Sequence, residues 1–371
     1  MSLNGPTSEP GVRVLIVVTS AQRRGAEIEG FELSKHLCEL GLDAHAVALA
    51  TSDSTSRLDL EVLGTKPLGI DTLRALRRRA LGFDVVVAYG SSTLTACALA
   101  LAGTGVPFVY RSIGDPARWL RDRLHRMVWT CFYRRADRVV ALWPGGERSI
   151  RDLFGVSADR IQVIPNARDD RAFAPATTDD RTVARERLGV PADAPVAAII
   201  GSLSEEKQVG HAIEAIARLR DVVLVVAGDG PLRVELEEHA ERLAPGRVRF
   251  LGNVDDVQTV LHASDVLVMT SRTEGMPGAV IEAGLCGIPT VAPAIGAMES
   301  LVIHEKTGMI TESTTPEDVA RAIEALLPIA ALAGAAARNH LEAECSWTSV
   351  APQWVDCLQS LAAASAAPAS V

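Results

Sequence analysis

Short apolar runs of strand length alternate with helical patterns along nearly the whole chain, and this alternation constrains the fold most. In the first part, the strand-like runs cover residues 12–18, 44–50, 84–89, 107–110, 138–142 and 161–165. Between them apolar residues recur at helical spacing, as in the segment after Gly25 and in residues 93–102 and 117–134. Strands buried on both faces and joined by helices form a doubly wound parallel sheet.

A polar stretch, residues 169–187, interrupts the alternation and is predicted to be a linker. The strand-like runs then restart at residues 196–201, 222–228, 248–252, 266–270 and 290–293. A chain of 371 residues exceeds what one hydrophobic core usually holds. We therefore predict an α/β protein of two Rossmann-like domains, residues 12–172 and 173–345, with disordered tails at 1–11 and 364–371.

Composition narrows the class of protein. The chain is 48% hydrophobic, 22% charged and only 4% aromatic, which is typical of a globular α/β protein and excludes a fibrous or disordered one. Its six cysteines form no C-x-x-C pair, so we expect buried, reduced thiols in a cytoplasmic protein. The first ten residues do not have the pattern of a signal peptide, and the most apolar stretch noted, residues 96–110, is interrupted by Gly and Pro, so no membrane span is predicted.

Positive charge is concentrated in the first half. Residues 1–173 carry 23 Lys and Arg against 19 Asp and Glu, whereas the remainder carries 14 against 27. Much of the excess lies in residues 111–135, where Arg side chains flank an apolar helical stripe, and a further cluster lies at 77–79. Such a helix either contacts an anionic membrane or acceptor, or packs one face on the core and exposes the other. A peripheral contact with the inner face of the membrane is the functional interpretation.

The segment Glu274-Gly-Met-Pro-Gly-Ala-Val-Ile-Glu282 sets two carboxylates around a glycine-rich turn. It follows an apolar run of strand length and precedes a helical pattern. A strand-to-helix turn suits phosphate, because backbone N–H groups and the positive end of the helix dipole point at the ligand. Carboxylates accept hydrogen bonds from sugar hydroxyls. The plainer alternative is one acidic residue at a helix N-terminus and one solvated helix Glu.

The Glu274 segment and five further segments resemble the retaining GT-B glycosyltransferases of family 4, also called glycosyl transferases group 1. The five are 25–27 (Gly-Ala-Glu), 163–169 (Val-Ile-Pro-Asn-Ala-Arg-Asp), 201–207 (Gly-Ser-Leu-Ser-Glu-Glu-Lys), 226–231 (Val-Ala-Gly-Asp-Gly-Pro) and 250–252 (Phe-Leu-Gly). The resemblance implies two facing Rossmann-like domains, the first on the acceptor side and the second binding the donor. It also implies a C-terminal helix, residues 348–363, that crosses back to the first domain.

The resemblance also implies roles for individual residues. Glu274 would hold the transferred sugar, Glu282 the ribose, and Lys207 the charge of the leaving diphosphate. The glycine-rich turn would bind the diphosphate through Gly275, Met276, Pro277 and Gly278. Gly25 would let the first-domain backbone approach the donor, although an ordinary tight turn explains it equally well. Glu299 would contact the ribose or phosphate region, or simply begin a helix.

Two positions depart from the family pattern. Ser202 stands where relatives pair an Arg with the Lys, so Arg23, Arg24 or Arg272 would have to compensate, or turnover would be slow. In the first domain no His follows the strand after Gly105-Val-Pro107, and Asp115 is the nearest polar candidate for its role. Asp115-Pro is also good turn chemistry.

The expected activity follows from these residues and the resemblance. The chain would move a hexosyl unit with retention from a UDP- or GDP-sugar to a glycan, lipid-linked or small-molecule acceptor. No Asp-x-Asp and no metal-ligand spacing occur, so no metal or cofactor is expected, and no nucleic-acid partner. The alternatives are a non-catalytic protein that binds a nucleotide sugar or a partner, and a nucleotide-sugar epimerase. The absence of G-x-G-x-x-G disfavours a dinucleotide-dependent oxidoreductase.

Overall fold

A computed structural model describes residues 11–23, 25–51, 57–118, 120 and 122–366. The chain divides into two compact units: unit 1 comprises Met1–Asn166 with Thr348–Val371, and unit 2 comprises Ala167–Trp347. The division therefore falls after Asn166 rather than after residue 172.

Unit 1 is built on one parallel sheet of seven strands. These are β1 (Arg13–Ser20), β2 (Asp43–Ala50), β3 (Glu61–Val62), β4 (Val85–Tyr89), β5 (Phe108–Arg111), β6 (Arg138–Ala141) and β7 (Ile161–Val163). Its helices are α1 (Gly25–Glu39), α2 (Ile70–Ala80), α3 (Ser91–Ala100), α4 (Arg123–Arg135) and α5 (Pro144–Phe154), and a short 3-10 turn covers Pro116–Arg118. The strand order is β3-β2-β1-β4-β5-β6-β7.

Unit 2 repeats this architecture with a second parallel sheet. Its strands are β8 (Val196–Ile200), β9 (Val223–Ala227), β10 (Val248–Gly252), β11 (Val266–Val268), β12 (Thr290–Pro293) and β13 (Gly308–Thr311), in the order β10-β9-β8-β11-β12-β13. Its helices are α6 (Thr178–Leu188), α7 (Val209–Arg218), α8 (Arg233–Leu243), α9 (Val257–Ala263), α10 (Gly278–Leu285), α11 (Met298–Leu301), α12 (Pro316–Leu326) and α13 (Ala330–Cys345). A last helix, α14 (Trp347–Ala366), leads back into unit 1.

The central strands explain why the sequence folds this way. The β1 residues Val14 to Val18 are fully buried, as expected for a strand covered by helices on both faces. Strand order reverses direction between β1 and β4, and in unit 2 between β8 and β11. Because parallel crossovers are right-handed, each reversal places helices on both faces and opens a crevice at the carboxyl ends of those strands. The predicted pair of doubly wound domains is confirmed.

The edges of the sheets differ from the prediction. The sequence predicts eleven strands, and all of them are present with small shifts of their ends. It misses β3 and β13, which are short edge strands with little apolar signal of their own. The predicted linker at 169–187 is wrong from Thr178 onward, because α6 begins there. Thr177 and Asp180 form a capping box that initiates this polar helix.

The C-terminal helix is held within unit 1 by an aromatic contact. Trp354, which is fully buried, stacks on Tyr89 with ring centroids 6.3 Å apart. The helix continues to Ala366, so the predicted disorder is wrong for residues 364–366. The predicted disorder of residues 1–10 and 367–371 concerns positions outside the described residues.

The basic helix also differs from its prediction. The structure begins α4 at Arg123, after the N-cap Asp122, instead of continuing from residue 117; Trp119 and Arg121 lie outside the described residues. Leu124 and Met127, expected on the apolar face, are 66% and 60% exposed. The helix instead buries Tyr133. Several of its arginines bind main-chain carbonyls: Arg126 those of Asp152 and Leu153, Arg134 that of Phe154, and Arg135 that of Leu101.

The cysteines and the apolar helices need two further corrections. Four thiols are buried, but Cys38 and Cys131 are exposed, so the prediction of six buried thiols is wrong for those two.

Within the described residues, Pro316–Cys345 is long and apolar enough to span a membrane by length and composition, which the sequence analysis missed. In the structure this stretch forms α12 and α13, joined by a 3-10 turn, and residues such as Ile323 and Leu341 are buried in unit 2.

Candidate functional site

The candidate site lies in unit 2, where β8 and β11 end at the reversal of strand order. The turn after β9 packs backbone to backbone on the turn after β8. A Cβ added at Gly228 would lie 1.8 Å from the carbonyl oxygen of Gly201, so this approach requires glycine at position 228. The Leu203 N–H donates to the carbonyl of Asp229 at 3.0 Å, which fixes the two turns to each other.

Thr270, which follows β11, binds the loop between β8 and α7. Its hydroxyl donates to the carbonyls of Lys207 and Gln208, at 2.9 and 3.0 Å. Gln208 itself has the left-handed backbone, with φ of 48°, which is costly for a residue other than glycine. Thr270 thus holds the loop in the conformation that presents Lys207. Sequence analysis missed this residue, because its hydroxyl acts on a segment far away along the chain.

Lys207 and Glu274 form an ion pair. The Nζ of Lys207 donates to the Oε1 of Glu274 at 2.5 Å, and the two side chains are 27% and 11% exposed. The two residues therefore meet, although 67 positions separate them in the sequence. A pair that is only partly desolvated can exchange one partner for a ligand at moderate cost.

The glycine-rich turn leads into α10 as the sequence predicts. Pro277 precedes the helix and Gly278 begins it. Met276 and Pro277 are buried, and the carbonyl of Gly275 accepts a hydrogen bond from the N–H of Ala297 at 2.8 Å. The positive end of the α10 dipole thus stands next to the turn that carries Glu274.

Glu282 lies in the second turn of α10 and is also paired. Its Oε1 accepts from the Nε of Arg168 at 2.7 Å, and both side chains are mostly buried, at 15% and 17% exposed. Sequence analysis named the segment 163–169 but gave no role to Arg168. The only signal available was a long cationic side chain within that segment.

The other predicted donor residues of unit 2 are more exposed. Ser202 is exposed, and its hydroxyl lies 3.4 Å from that of Ser204. Glu299 is exposed in the first turn of the short helix α11. Arg272, a suggested replacement for the missing cation, donates its backbone N–H to Glu206 and its guanidinium to the carbonyl of Glu205 at 3.4 Å.

Two predicted residues belong to unit 1. Gly25 begins α1, and a Cβ there would meet no atom within 4 Å. The Oδ1 of Asp115 accepts from the N–H of Ala117 at 3.0 Å, which is the turn role weighed against a catalytic one. Of the other candidate cations, Arg23 is described, whereas Arg24 lies outside the described residues.

Unit 1 also contains a buried ion pair that sequence analysis missed. Arg111, at the end of β5, is fully buried and donates to the Oε1 of Glu29 at 2.6 Å. The same guanidinium donates to the Ile164 carbonyl at 2.8 Å and to the Asn166 Oδ1 at 2.8 Å. It lies 5.2 Å from the ring of Trp354. Arg111 therefore ties α1, the end of the segment after β7 and the C-terminal helix together.

No metal cluster adds to these groups among the described residues. Burial raises the pKa of Cys286, just after α10, to about 12, so this thiol stays protonated at neutral pH. In the part of the chain that the structure describes, no group of three or more His, Cys, Asp or Glu side chains is arranged to hold a metal ion.

Two family models match the chain. The model for glycosyl transferases group 1 matches residues 180–339, and the model for the glycosyl transferase 4-like domain matches residues 8–167. Together they cover most of both units.

Curated relatives match over part of their length. A D-inositol 3-phosphate glycosyltransferase of Geodermatophilus obscurus is 35% identical over 221 residues, which is 55% of this chain and 48% of that protein. A GDP-mannose-dependent monoacylated alpha-(1-6)-phosphatidylinositol monomannoside mannosyltransferase of Corynebacterium glutamicum is 31% identical, over 57% of this chain and 59% of its own. The chain thus spans about half the length of the curated relatives it matches.

Solved structures share the fold over nearly the whole chain. Anabaena Alr3699/HepE in complex with UDP and glucose superposes with a TM-score of 0.83 and 22% identity, over 94% of this chain and 100% of that one. The sucrose-phosphate synthase of Thermosynechococcus elongatus has a TM-score of 0.81 at 20% identity, over 95% of this chain and 100% of its own. At these identities the likeness shows the GT-B fold alone.

Proposed function

We propose that this chain, which belongs to the group 1 glycosyltransferases of the GT-B fold, transfers a hexosyl unit from a UDP- or GDP-sugar to a glycan, lipid-linked or small-molecule acceptor. The observation that carries the proposal is the Lys207–Glu274 pair, presented at the ends of β8 and β11 where α10 begins. It combines a cation for a diphosphate with a carboxylate for sugar hydroxyls.

The proposed mechanism uses the groups of unit 2 to bind the donor. The diphosphate would be bound by Lys207 and the N-terminus of α10, while Glu274 accepts hydrogen bonds from the sugar. The bond between the anomeric carbon and the diphosphate oxygen breaks, and its electron pair stays on that oxygen. The acceptor oxygen bonds to the same face of the sugar, so configuration is retained. Its proton passes to the leaving phosphate.

We propose that the reaction needs no metal ion. Lys207 and the α10 dipole then neutralise the charge that develops on the leaving diphosphate. Activity should be the same with magnesium and with an excess of chelator. Loss of activity in chelator, restored by a divalent cation, would contradict this part of the proposal.

The experiment that tests the donor proposal is a thermal-shift panel of UDP-, GDP-, ADP- and dTDP-sugars with their free nucleotides. A ligand that binds the native state raises the unfolding temperature by mass action. We expect one nucleotide family to raise it. Transfer is then assayed with that donor, and release of nucleotide without any acceptor would favour hydrolysis or epimerisation instead. If none of the nucleotides or nucleotide sugars raises the unfolding temperature, the donor proposal is wrong.

A second candidate function is binding of the nucleotide sugar without transfer. It is favoured by two observations: Ser202 stands in place of a cation, and Asp115 is engaged in a local turn. A clear thermal shift together with no turnover of the bound donor, across glycan and lipid acceptors, would support this function.

We also propose a cytoplasmic protein whose acceptor side contacts an anionic membrane through α4. The support is the exposure of Leu124, Met127 and Val128 beside Arg123 on that helix. Sedimentation with phosphatidylglycerol vesicles should recover the wild-type chain in the pellet, and neutral vesicles should not. The double variant Leu124→Ser and Met127→Ser should remain in the supernatant; equal sedimentation of both proteins would contradict this contact.

A further inference from the structure

Arg168 stands at the start of unit 2 with its backbone held on both sides. Its N–H donates to the carbonyl of Cys345 at 2.8 Å, and its carbonyl accepts from the N–H of Trp347 at 3.3 Å. These bonds attach it to the end of α13 and the beginning of α14. The position of its Cα is therefore set by the packing of unit 2, and its side chain extends from a fixed base.

The side chain of Arg168 reaches α10. Besides the bond to Glu282, its Nη1 donates to the carbonyl of Ala167 at 2.8 Å. A Cβ added at Gly278 would lie 2.0 Å from the Nη2 of this guanidinium. The first residue of α10 must be glycine for Arg168 to stay where it is. The place of a glycine at position 278 is thus explained by the guanidinium of Arg168, independently of any contact with a phosphate.

The balance of charge at the candidate donor site gives the contact between Arg168 and Glu282 its importance. Glu274 and Glu282 are negative, and Lys207 is the cation that the motif supplies, while Ser202 supplies none. With these residues alone, the carboxylates outnumber the cations at a site for an anionic diphosphate. Arg168 restores the balance, and like charges near a ligand cost binding energy in a partly desolvated site.

We propose that Arg168 is a positioning residue of the donor site: it neutralises Glu282 and orients its carboxylate toward the ribose of the nucleotide. This inference rests on the proposed function. One oxygen of Glu282 is engaged by Arg168, so the carboxylate has a single orientation in which to accept from the ribose hydroxyls. Pre-orientation of a binding group lowers the entropy lost when the ligand binds.

The test measures binding of UDP and GDP to the full chain by calorimetry. Arg168→Met should weaken binding of the nucleotide that the wild type prefers by about tenfold or more. Arg168→Lys should restore part of the loss. With the matching donor sugar, KM should rise while kcat changes little, because the contact acts on binding. The control is Arg218→Met, which breaks an exposed ion pair with Glu317 elsewhere in unit 2.

A double-mutant cycle separates positioning from a general structural effect. In the Glu282→Gln background, loss of Arg168 should cost much less than in the wild type, because its partner charge is gone. Gly278→Ala should lose affinity for the nucleotide as Arg168→Met does, because the added Cβ displaces the guanidinium of Arg168. If Arg168→Met does not fold, Gly278→Ala takes its place in the measurement. Additive losses in the cycle would overturn the proposal.

The outcomes also separate this inference from the proposed function. Wild-type protein that binds neither nucleotide defeats both. Wild-type binding that Arg168→Met leaves unchanged overturns the role of Arg168 alone and keeps the donor site.

Discussion

The two ion pairs of the candidate site in unit 2 are less buried than the Arg111–Glu29 pair of unit 1. In unit 1, the side chains of Arg111 and Glu29 are 0% and 5% exposed, and the guanidinium also donates to three oxygens of the segment 164–166. In unit 2, Lys207 and Arg168 are paired with Glu274 and Glu282, but these side chains keep between 11% and 27% of their surface accessible.

Burial explains what the difference means. A fully buried pair with additional hydrogen bonds cannot exchange partners without exposing an uncompensated charge, so it holds segments together. A partly exposed pair keeps contact with solvent, and a ligand can replace one partner. The first kind of pair therefore positions the framework, and the second kind is suited to binding.

The largest expected effect breaks the pair of unit 1. Arg111→Met should lower the free energy of unfolding by about 3–5 kcal/mol, because it leaves Glu29 buried without its partner. Urea denaturation followed by circular dichroism measures this. Adding Glu29→Leu should recover much of the loss, since two apolar groups need no compensation. If the single variant is as stable as the wild type, the framework role of the pair is wrong.

The next effect removes the cation of unit 2. Lys207→Ala should raise the activation free energy of transfer by about 2–4 kcal/mol, because charge on the leaving diphosphate loses its partner. The unfolding temperature should hardly change, in contrast to Arg111→Met. Initial rates at saturating acceptor and a thermal melt test the two halves of this prediction. If Lys207→Ala lowers the unfolding temperature but leaves the transfer rate unchanged, Lys207 has a structural role and the proposed difference between the two units is wrong.

A smaller effect distinguishes the two carboxylates of unit 2. Glu282→Ala should weaken nucleotide binding by about 1.5–3 kcal/mol, the range for hydrogen bonds to charged groups. Glu274→Ala should reduce transfer more than it reduces nucleotide affinity, because its proposed contact is with the sugar. Calorimetry with the nucleotide and rate measurements with the donor provide the comparison. Equal losses for both variants in both assays would contradict separate sugar and ribose contacts.

The smallest effect is expected for an exposed ion pair that belongs neither to the buried pair of unit 1 nor to the candidate site of unit 2. Arg218 and Glu317 are 44% and 59% exposed. Arg218→Met should leave the unfolding temperature and the transfer rate within error of the wild type, because solvent already screens this pair. A clear loss in either measurement would mean that exposure does not separate functional from incidental pairs in this chain.

Most of the fold was predictable from the sequence, and the exceptions have physical causes. Buried strands such as β1 and β8 carry continuous apolar runs, which identify them without knowledge of their neighbours. The edge strands β3 and β13 lack such runs, since β3 has only two residues and β13 reads Gly-Met-Ile-Thr. Helix α6 is mostly polar, and its start depends on the cap at Thr177, which the sequence analysis took for loop chemistry.

The candidate site was predictable only in part. The turn before α10 is local, so its glycine, proline and carboxylate appear as one motif. Thr270 and Arg168 act on residues far away in the sequence, and nothing near them identifies the partner. The functional roles of all the predicted site residues, including those of Lys207, Glu274 and Glu282, stay predictions.

The sequence by itself determined the two doubly wound units, the position of α10 and the charged residues before and within it. Those features depend on apolar periodicity and turn chemistry, which act over a few residues. The tertiary structure decided which charges pair: Lys207 with Glu274, Arg168 with Glu282, and Arg111 with Glu29. A pairing depends on where the ends of strands meet after folding and on how much water remains there, and neither is encoded by spacing along the chain.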